Sequence, residues 1–251
     1  MPKIRADQLL VVRGLVDSRA KAMAVILAGL VFSGERKIDK AGQMLAEDAP
    51  IELRGKDHPW VSRGGIKLAH ALDHFGWDVT GAVALDIGAS TGGFTDVLLS
   101  RRAAQVFAID VGTNQLAWKL RQDPRVIVHE KVNARYLSPE IVTEAIDIVT
   151  CDASFISLAK VLDRALDFAK PDARLIALVK PQFEAGRKDV GRKGVVSRPE
   201  VHERVLAQIT AAAAEVGLER RGMTESPITG AEGNKEFLLL LAPRVRPDDI
   251  A

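Results

Sequence analysis

The sequence predicts an α/β protein: a seven-stranded, mostly parallel sheet with an antiparallel last strand, preceded by a small α+β unit. Three observations carry this reading. From Gly64 onward, short apolar runs alternate with helical segments, the pattern of parallel strands joined by crossover helices. The last two apolar runs are separated by only ten residues, too few for a parallel crossover, so the final strand is expected to run antiparallel. Ahead of residue 55 the order changes to two helical segments followed by short strands.

In the front unit, Ala6 to Arg13 and Ser18 to Leu27 carry helical spacing; Gly14 ends the first segment and Ser18 can cap the second. Leu30 to Ile38 and Ala49 to Leu53 read as short strands around Gly34 and Gly42. This unit is assigned to residues 1–54. Gly55 and Pro59 break both helical and strand patterns, so residues 55–63 read as a linker to a larger domain over 64–251. Its expected strands are Val83 to Ile87, Gln105 to Asp110, Val126 to His129, Ile146 to Asp152, Arg174 to Lys180, Gly217 to Thr224 and Lys235 to Leu241.

Composition excludes several classes. The longest apolar run, Ala22 to Phe32, has eleven residues, far short of a bilayer span, and no signal peptide is legible, so a cytoplasmic protein is expected. A single cysteine, Cys151, rules out an internal disulfide and any multi-cysteine metal site. The net charge of +2 conceals an asymmetry: residues 1–67 sum to +4 and the remainder to −2. A basic front suits a polyanionic partner, although basic side chains also serve simply to solvate a small domain.

Leu85-Asp-Ile-Gly-Ala-Ser-Thr-Gly-Gly-Phe-Thr lies where the first strand of the sheet should turn into a helix. Glycines there let backbone amides approach a nucleotide. Phe94 follows Gly93 where a phosphate-binding loop needs lysine, and Ser90 occupies the second glycine position of the dinucleotide pattern. What remains is Asp86 ahead of Gly88, an acid that suits the cationic methionine part of S-adenosylmethionine. Gly88, Ser90, Thr91, Gly92, Gly93 and Phe94 would form the cradle. Asp110, at the end of the second strand, can accept the ribose hydroxyls of an adenosine moiety. Asn133, just past the third strand, can face the adenine edge or simply cap the strand. A mostly parallel sheet with this loop and an antiparallel last strand is the expected shape of a class I, Rossmann-like methyltransferase.

Four charged residues are expected on that same edge: Asp152 closing the fourth strand, Lys180 closing the fifth, Glu236 opening the last, and Lys67 on the helix feeding the first. Around them stand Val61-Ser-Arg-Gly-Gly-Ile-Lys-Leu, Asp86-Ile-Gly-Ala-Ser-Thr-Gly-Gly-Phe, Asp152-Ala-Ser-Phe-Ile-Ser and Val179-Lys-Pro-Gln-Phe-Glu. In order and spacing these stretches resemble the TlyA, or haemolysin A, family of RNA 2′-O-methyltransferases, whose catalytic domain is FtsJ-like. The resemblance extends over Arg5 to Leu53, which is similar to an RNA-binding module of a small-subunit ribosomal protein. It implies Lys67, Asp152, Lys180 and Glu236 as a catalytic Lys-Asp-Lys-Glu tetrad, S-adenosylmethionine as cofactor, and a cytidine ribose of ribosomal RNA in ribosomal subunits as substrate. Longer members are associated with both 16S and 23S rRNA and shorter ones with 23S alone. Ten residues follow Leu241, which favours the large subunit.

The residue types suit that chemistry. A ribose hydroxyl becomes a nucleophile when its proton is removed, a step for which a suitably held amine serves. The leaving thioether is neutral, so no metal is required. Asp152-Ala-Ser-Phe155 lacks the prolines common in enzymes that methylate base amines; Phe155 can stack on the target base or pack in the core. His70 and His74, four residues apart, lack a third metal ligand. Residues 186–194 hold four cations and three glycines, and they read either as a mobile loop that closes on RNA phosphates or as a merely solvated loop, the first being favoured. The expected RNA contacts are Arg5, Arg13, Arg19, Lys21, Arg36 and Lys37 in front, Arg63 at the linker's end, and Arg187, Lys188, Arg192 and Lys193 in that loop. Trp60 is placed to couple the linker to the cofactor site. The rival readings are a non-catalytic RNA-binding assembly factor, a small-molecule methyltransferase, and a pore-forming haemolysin, for which neither a long apolar helix nor a run of alternating strands is legible.

Overall fold

The computed structural model describes residues 2–16, 18–54, 58–153 and 158–244. The chain divides into two units, Met1–Pro59 and Trp60–Ala251.

In the first unit, β1 (Lys3–Arg5) leads directly into α1 (Ala6–Val12), followed by α2 (Arg19–Leu27), β2 (Val31–Ser33), β3 (Arg36–Lys37), β4 (Met44–Ala46) and β5 (Glu52–Leu53). Gly14, at φ +67°, follows the end of α1, and the Ser18 side chain accepts from the Lys21 amide, capping α2 as expected. β2 pairs antiparallel with both β3 and β5, the first through a turn at Gly34. The pairing of β1 with β4, Lys3 opposite Ala46, is not foreseen in the sequence. Ala6, Leu10, Val16, Ala22, Ile26, Val31 and Ile38 form the core.

The second unit contains α3 (Gly64–His74), β6 (Val83–Ile87), α4 (Gly93–Ser100), β7 (Gln105–Asp110), α5 (Trp118–Arg121), β8 (Val126–Glu130), β9 (Ile146–Cys151), α6 (Leu158–Leu166), β10 (Ala169–Val179), α7 (Pro181–Glu184), α8 (Pro199–Glu215), β11 (Leu218–Glu225) and β12 (Phe237–Pro243). Seven strands form one sheet in the order β11-β12-β10-β9-β6-β7-β8. The five strands from β10 to β8 run parallel, and β12 is antiparallel to both of its neighbours, as expected.

Alternating side chains divide between two apolar layers. Leu85, Ile87, Phe107, Ile109, Val149 and Cys151 face α6 and α8, while Ala84, Val106, Ala108 and Ile148 face α3 and α4. Burial on both faces explains why β6, β7 and β9 read as nearly continuous apolar runs. β10 begins earlier than expected, at Ala169, and its ladder with β9 is irregular between Ala169 and Arg174. Strand order reverses between β6 and β9, which creates a crevice beyond their carboxyl ends.

Candidate active site

Strand register decides what meets at this crevice. Ile87 of β6 pairs with Cys151 of β9, so Gly88 and Asp152 come next on adjacent strands, and the Asp152 amide donates to Ile87 O at 2.9 Å. Ile109 of β7 pairs with Ile87, and its carbonyl accepts from the amides of Gly88 and Ala89, which brings Asp110 alongside the loop. Val179 of β10 pairs with Phe237 of β12, so Lys180 and Glu236 emerge side by side. Three strand pairings therefore assemble residues distant in sequence at one sheet edge.

Two cavities adjoin there. One, of about 340 Å³, has walls from Ile87, Ile109, Val111, Val132, Ala134 and Ala153, with Asp110 and Gln115 as polar members. The other, of about 270 Å³, is lined by Ser62, Arg63, Lys67, Thr91, Gly93 and Phe94 among others. Gly88, Ser90 and Asp152 border both. A mostly apolar cavity with a carboxylate at its side suits an adenosine moiety, and the second cavity is charged.

The loop between them is shaped by its glycines. At Gly88, φ is +79° and an added Cβ would lie 3.0 Å from backbone atoms of Asp152 and Ala153, so a side chain has neither the conformation nor the space. A Cβ on Gly93 would approach Ser62 Oγ to 2.3 Å. Gly92, at φ +94°, turns away from both cavities toward Leu116 and Leu120. The Asp110 carboxylate accepts from the amides of Ser90 and Gly112 at 2.8 and 2.6 Å, which fixes its direction at the slot.

Asp86 differs from expectation. It is fully buried and lines neither cavity; its oxygens accept from Thr95 Oγ1 at 2.6 Å and Thr150 Oγ1 at 2.9 Å. Burial pushes its carboxyl up to about 6, against the lowering effect of the two threonine bonds. Asp86 anchors the loop from beneath, tying β6 to β9 and α4, rather than reaching toward a ligand's cation. Asn133 also turns aside: its Oδ1 accepts from the Arg135 amide, capping a 3-10 turn, while its neighbours Val132 and Ala134 line the slot.

The four charged residues form two ion pairs. Lys67 Nζ meets Glu236 across α3 and the head of β12, with both side chains nearly buried. Lys180 Nζ lies 2.5 Å from Asp152 Oδ1. One member of each pair, Lys67 and Asp152, lines the charged cavity. A Cβ on Gly230 would fall 2.0 Å from Glu236 Oε1, so that carboxylate rests against bare backbone.

A sequence model of FtsJ-like methyltransferases matches residues 60–242, from the start of the second unit through most of β12. The chain belongs to the FtsJ-like methyltransferase family. It is also 45% identical over 240 residues to the 16S/23S rRNA (cytidine-2′-O)-methyltransferase TlyA of Mycobacterium tuberculosis, covering 95% of this chain and 90% of that protein. It is 48% identical to the "Putative rRNA methyltransferase YqxC" of Bacillus subtilis, covering 95% and 85% of the two chains. Among solved structures, "Putative hemolysin from Streptococcus thermophilus" superposes with a TM-score of 0.76 at 43% identity, covering 98% of this chain and 90% of that one.

In this FtsJ-like methyltransferase several expected RNA contacts have partners within the protein. Arg5 and Arg19 both bind Asp7, at 3.0 and 2.9 Å. The bond from Arg5, with that from Arg19, holds the buried Asp7 carboxyl down at about 2 against the opposing effect of burial. Arg13 donates to Glu47 O at 2.9 Å. Lys21, Arg36, Lys37, Arg187, Lys188, Arg192 and Lys193 are exposed. Arg63 lines the charged cavity. Trp60 packs on Gly65 at the start of α3, where an added Cβ would strike its ring. His70 hydrogen-bonds with Thr224 Oγ1 on β11. Cys151 is buried, and burial pushes its thiol up to about 12. Phe155 lies outside the described residues.

The sequence reading missed three polar residues. Gln115 lines the adenosine slot. Asp96 accepts from the Val61 amide at 2.7 Å and from Lys119 Nζ at 3.0 Å, joining the segment before α3 to α4 and α5. Asn234 fastens the basic loop. Of the three, only Asp96 carried a signal, as an acid in the first turn of a helix.

Proposed function

We propose that this protein transfers the methyl group of S-adenosylmethionine to the 2′-oxygen of a cytidine ribose in ribosomal RNA within ribosomal subunits, with 23S rRNA as the favoured substrate. The observation that carries the reading is the pair of lysine–carboxylate contacts at a charged cavity that shares Gly88, Ser90 and Asp152 with an adenosine-sized slot. The relative from M. tuberculosis, covered over nine-tenths of its length, carries this activity in its name.

S-adenosylmethionine supplies a methyl group on a cationic sulfur, which departs as a neutral thioether. The chain's residues do the rest. Asp110 and Gln115 would hold the ribose and base ends in the slot, and the loop backbone at Gly88 and Gly93, which borders the charged cavity, would hold the methionine part. Lys180, once it has given up its own proton to solvent and stands as a neutral amine beside Asp152, takes the proton of the 2′-hydroxyl as that oxygen attacks the methyl carbon. Lys67, held by Glu236 and lining the same cavity, would orient that hydroxyl. Arg63 and the exposed cations of residues 187–193 bind phosphates beside the target, and the front unit adds further phosphate contacts through Lys21, Arg36 and Lys37.

The test is transfer of labelled methyl to purified, unmodified 50S and 30S subunits and to free rRNA, with the modified position mapped. Label in one 23S nucleotide supports the full reading, and label in 16S alone redirects it to the small subunit. A protein that binds S-adenosylmethionine but labels no rRNA overturns the reading and leaves the assembly factor or a different methyl acceptor.

A further inference from the structure

The exposed cations of the loop after α7 do not hang on a slack segment. Gly191 N donates to Val195 O and Gly194 N to Gly191 O, both at 2.9 Å, closing a tight turn whose tip is Arg192-Lys193. The base of that turn is clasped by one side chain. Asn234, 2% exposed, accepts from the Val196 amide through Oδ1 at 3.0 Å and donates through Nδ2 to Gly194 O at 2.9 Å. Its own carbonyl accepts from Gly230 N at 2.8 Å, in the turn that packs against the Glu236 carboxylate.

Two further contacts strengthen the junction. His202 of α8 bonds through Nε2 with Val196 O at 2.9 Å, and its ring packs on Phe237, the residue after Glu236. On the other side of the turn, the nearly buried Asp189 is ion-paired with both Arg198 and Arg204. A buried carboxamide offers a donor and an acceptor in one plane, so it can satisfy two backbone groups of one turn while standing on another segment.

We infer that Asn234 is a positioning residue that fastens the Arg192-Lys193 turn to the strand head bearing Glu236, so that RNA phosphates held by the turn arrive in register with the charged cavity. This rests on the proposed RNA substrate. It replaces the sequence-based expectation of a mobile loop with a cationic turn held in place before RNA arrives, and it requires that the two cations act at full strength only while the clasp is intact.

The experiment measures binding of unmodified 23S rRNA by the full chain, saturated with S-adenosylhomocysteine, across a salt series. R192Q/K193Q in the wild-type background is expected to weaken binding at least about fivefold and to lower the slope of log Kd against log salt by one to two. N234A is expected to lower that slope similarly and to raise Kd for RNA, with affinity for S-adenosylhomocysteine within about twofold of wild type. In the N234A background the R192Q/K193Q change should then cost less than about twofold, because the cations are already misplaced. A wild-type slope for N234A, or full additivity of the substitutions, overturns the inference. If N234A loses cofactor binding, N234S, which keeps an acceptor for the Val196 amide, is judged by the same two criteria. Binding is read without turnover, so an absence of methyl transfer by the wild type counts against the proposed function and not against the clasp.

Discussion

Lys67 and Glu236, 169 residues apart in sequence, are ion-paired where α3 passes the head of β12, with side chains only 11% and 3% exposed. A pair so enclosed is asymmetric in its energetics. Removing one partner leaves a buried charge without compensation, whereas removing both leaves an apolar gap that can be filled. Lys67→Met is therefore expected to destabilise the protein by about 3 kcal/mol. The double variant K67M/E236M should recover most of that loss without recovering methyl transfer. Chemical unfolding of the three proteins checks the first part, and a double variant no more stable than K67M contradicts it.

Gly88→Ala tests the loop. Left-handed backbone costs a residue with a Cβ about 1–2 kcal/mol, and here the added atom also meets the backbone of Asp152 and Ala153 at 3.0 Å. The loop must shift, and affinity for S-adenosylmethionine is expected to fall at least about tenfold. Calorimetric titration reads this directly; unchanged affinity means that the cofactor does not rest on this backbone.

Asp86 gives a pH dependence with a defined sign. Burial raises its carboxyl to about 6 from an ordinary value near 4, so its contribution to stability is present below about pH 4 and is lost as pH rises through 6. Asp86→Asn has no such loss. The difference in Tm, variant minus wild type, should climb between pH 4 and 6.5 and then level off. A difference that is flat across this window shows that Asp86 is not held in its neutral form.

Asp7 behaves in the opposite sense. Its carboxyl is held at about 2, chiefly by Arg5, so the stability it contributes is present above about pH 4 and is lost as pH falls toward 2. Arg5→Gln should accordingly destabilise the front unit at pH 7 and leave it little changed at pH 2. Thermal unfolding followed at the two pH values reads this, and an equal effect at both contradicts it.

The sheet and the polar residues that end its strands were legible because both depend on short-range patterns. Strands β6, β7 and β9 are buried on both faces and so read as apolar runs, and Asp110, Asp152 and Lys180 mark the ends of such runs. The β1–β4 pairing was not legible, because Lys3–Arg5 and Met44–Ala46 are three-residue strands with no apolar alternation and meet only in the fold. The orientation of Asp86 toward Thr95 and Thr150 was hidden for a related reason: which way a strand-end carboxylate points is set by hydroxyls on two other elements. Arg19 read as a free cation because its partner, Asp7, comes within reach only when α1 packs against α2, whereas the Arg5–Asp7 pair is local and was simply overlooked. Asn234 carries no pattern at all, since the backbone groups of Gly194 and Val196 that its side chain binds lie about 40 residues away.

The most direct test of the central claim is the identity of the modified nucleoside. Unmodified 50S subunits are incubated with the protein and S-adenosylmethionine, and the rRNA is digested to nucleosides and separated. The account predicts 2′-O-methylcytidine as the new product, with Lys180→Ala reducing its yield at least about a hundredfold while still binding the cofactor. A methyl group on a base nitrogen or carbon, or an undiminished yield from K180A, would contradict the assignment of this cavity to ribose methylation.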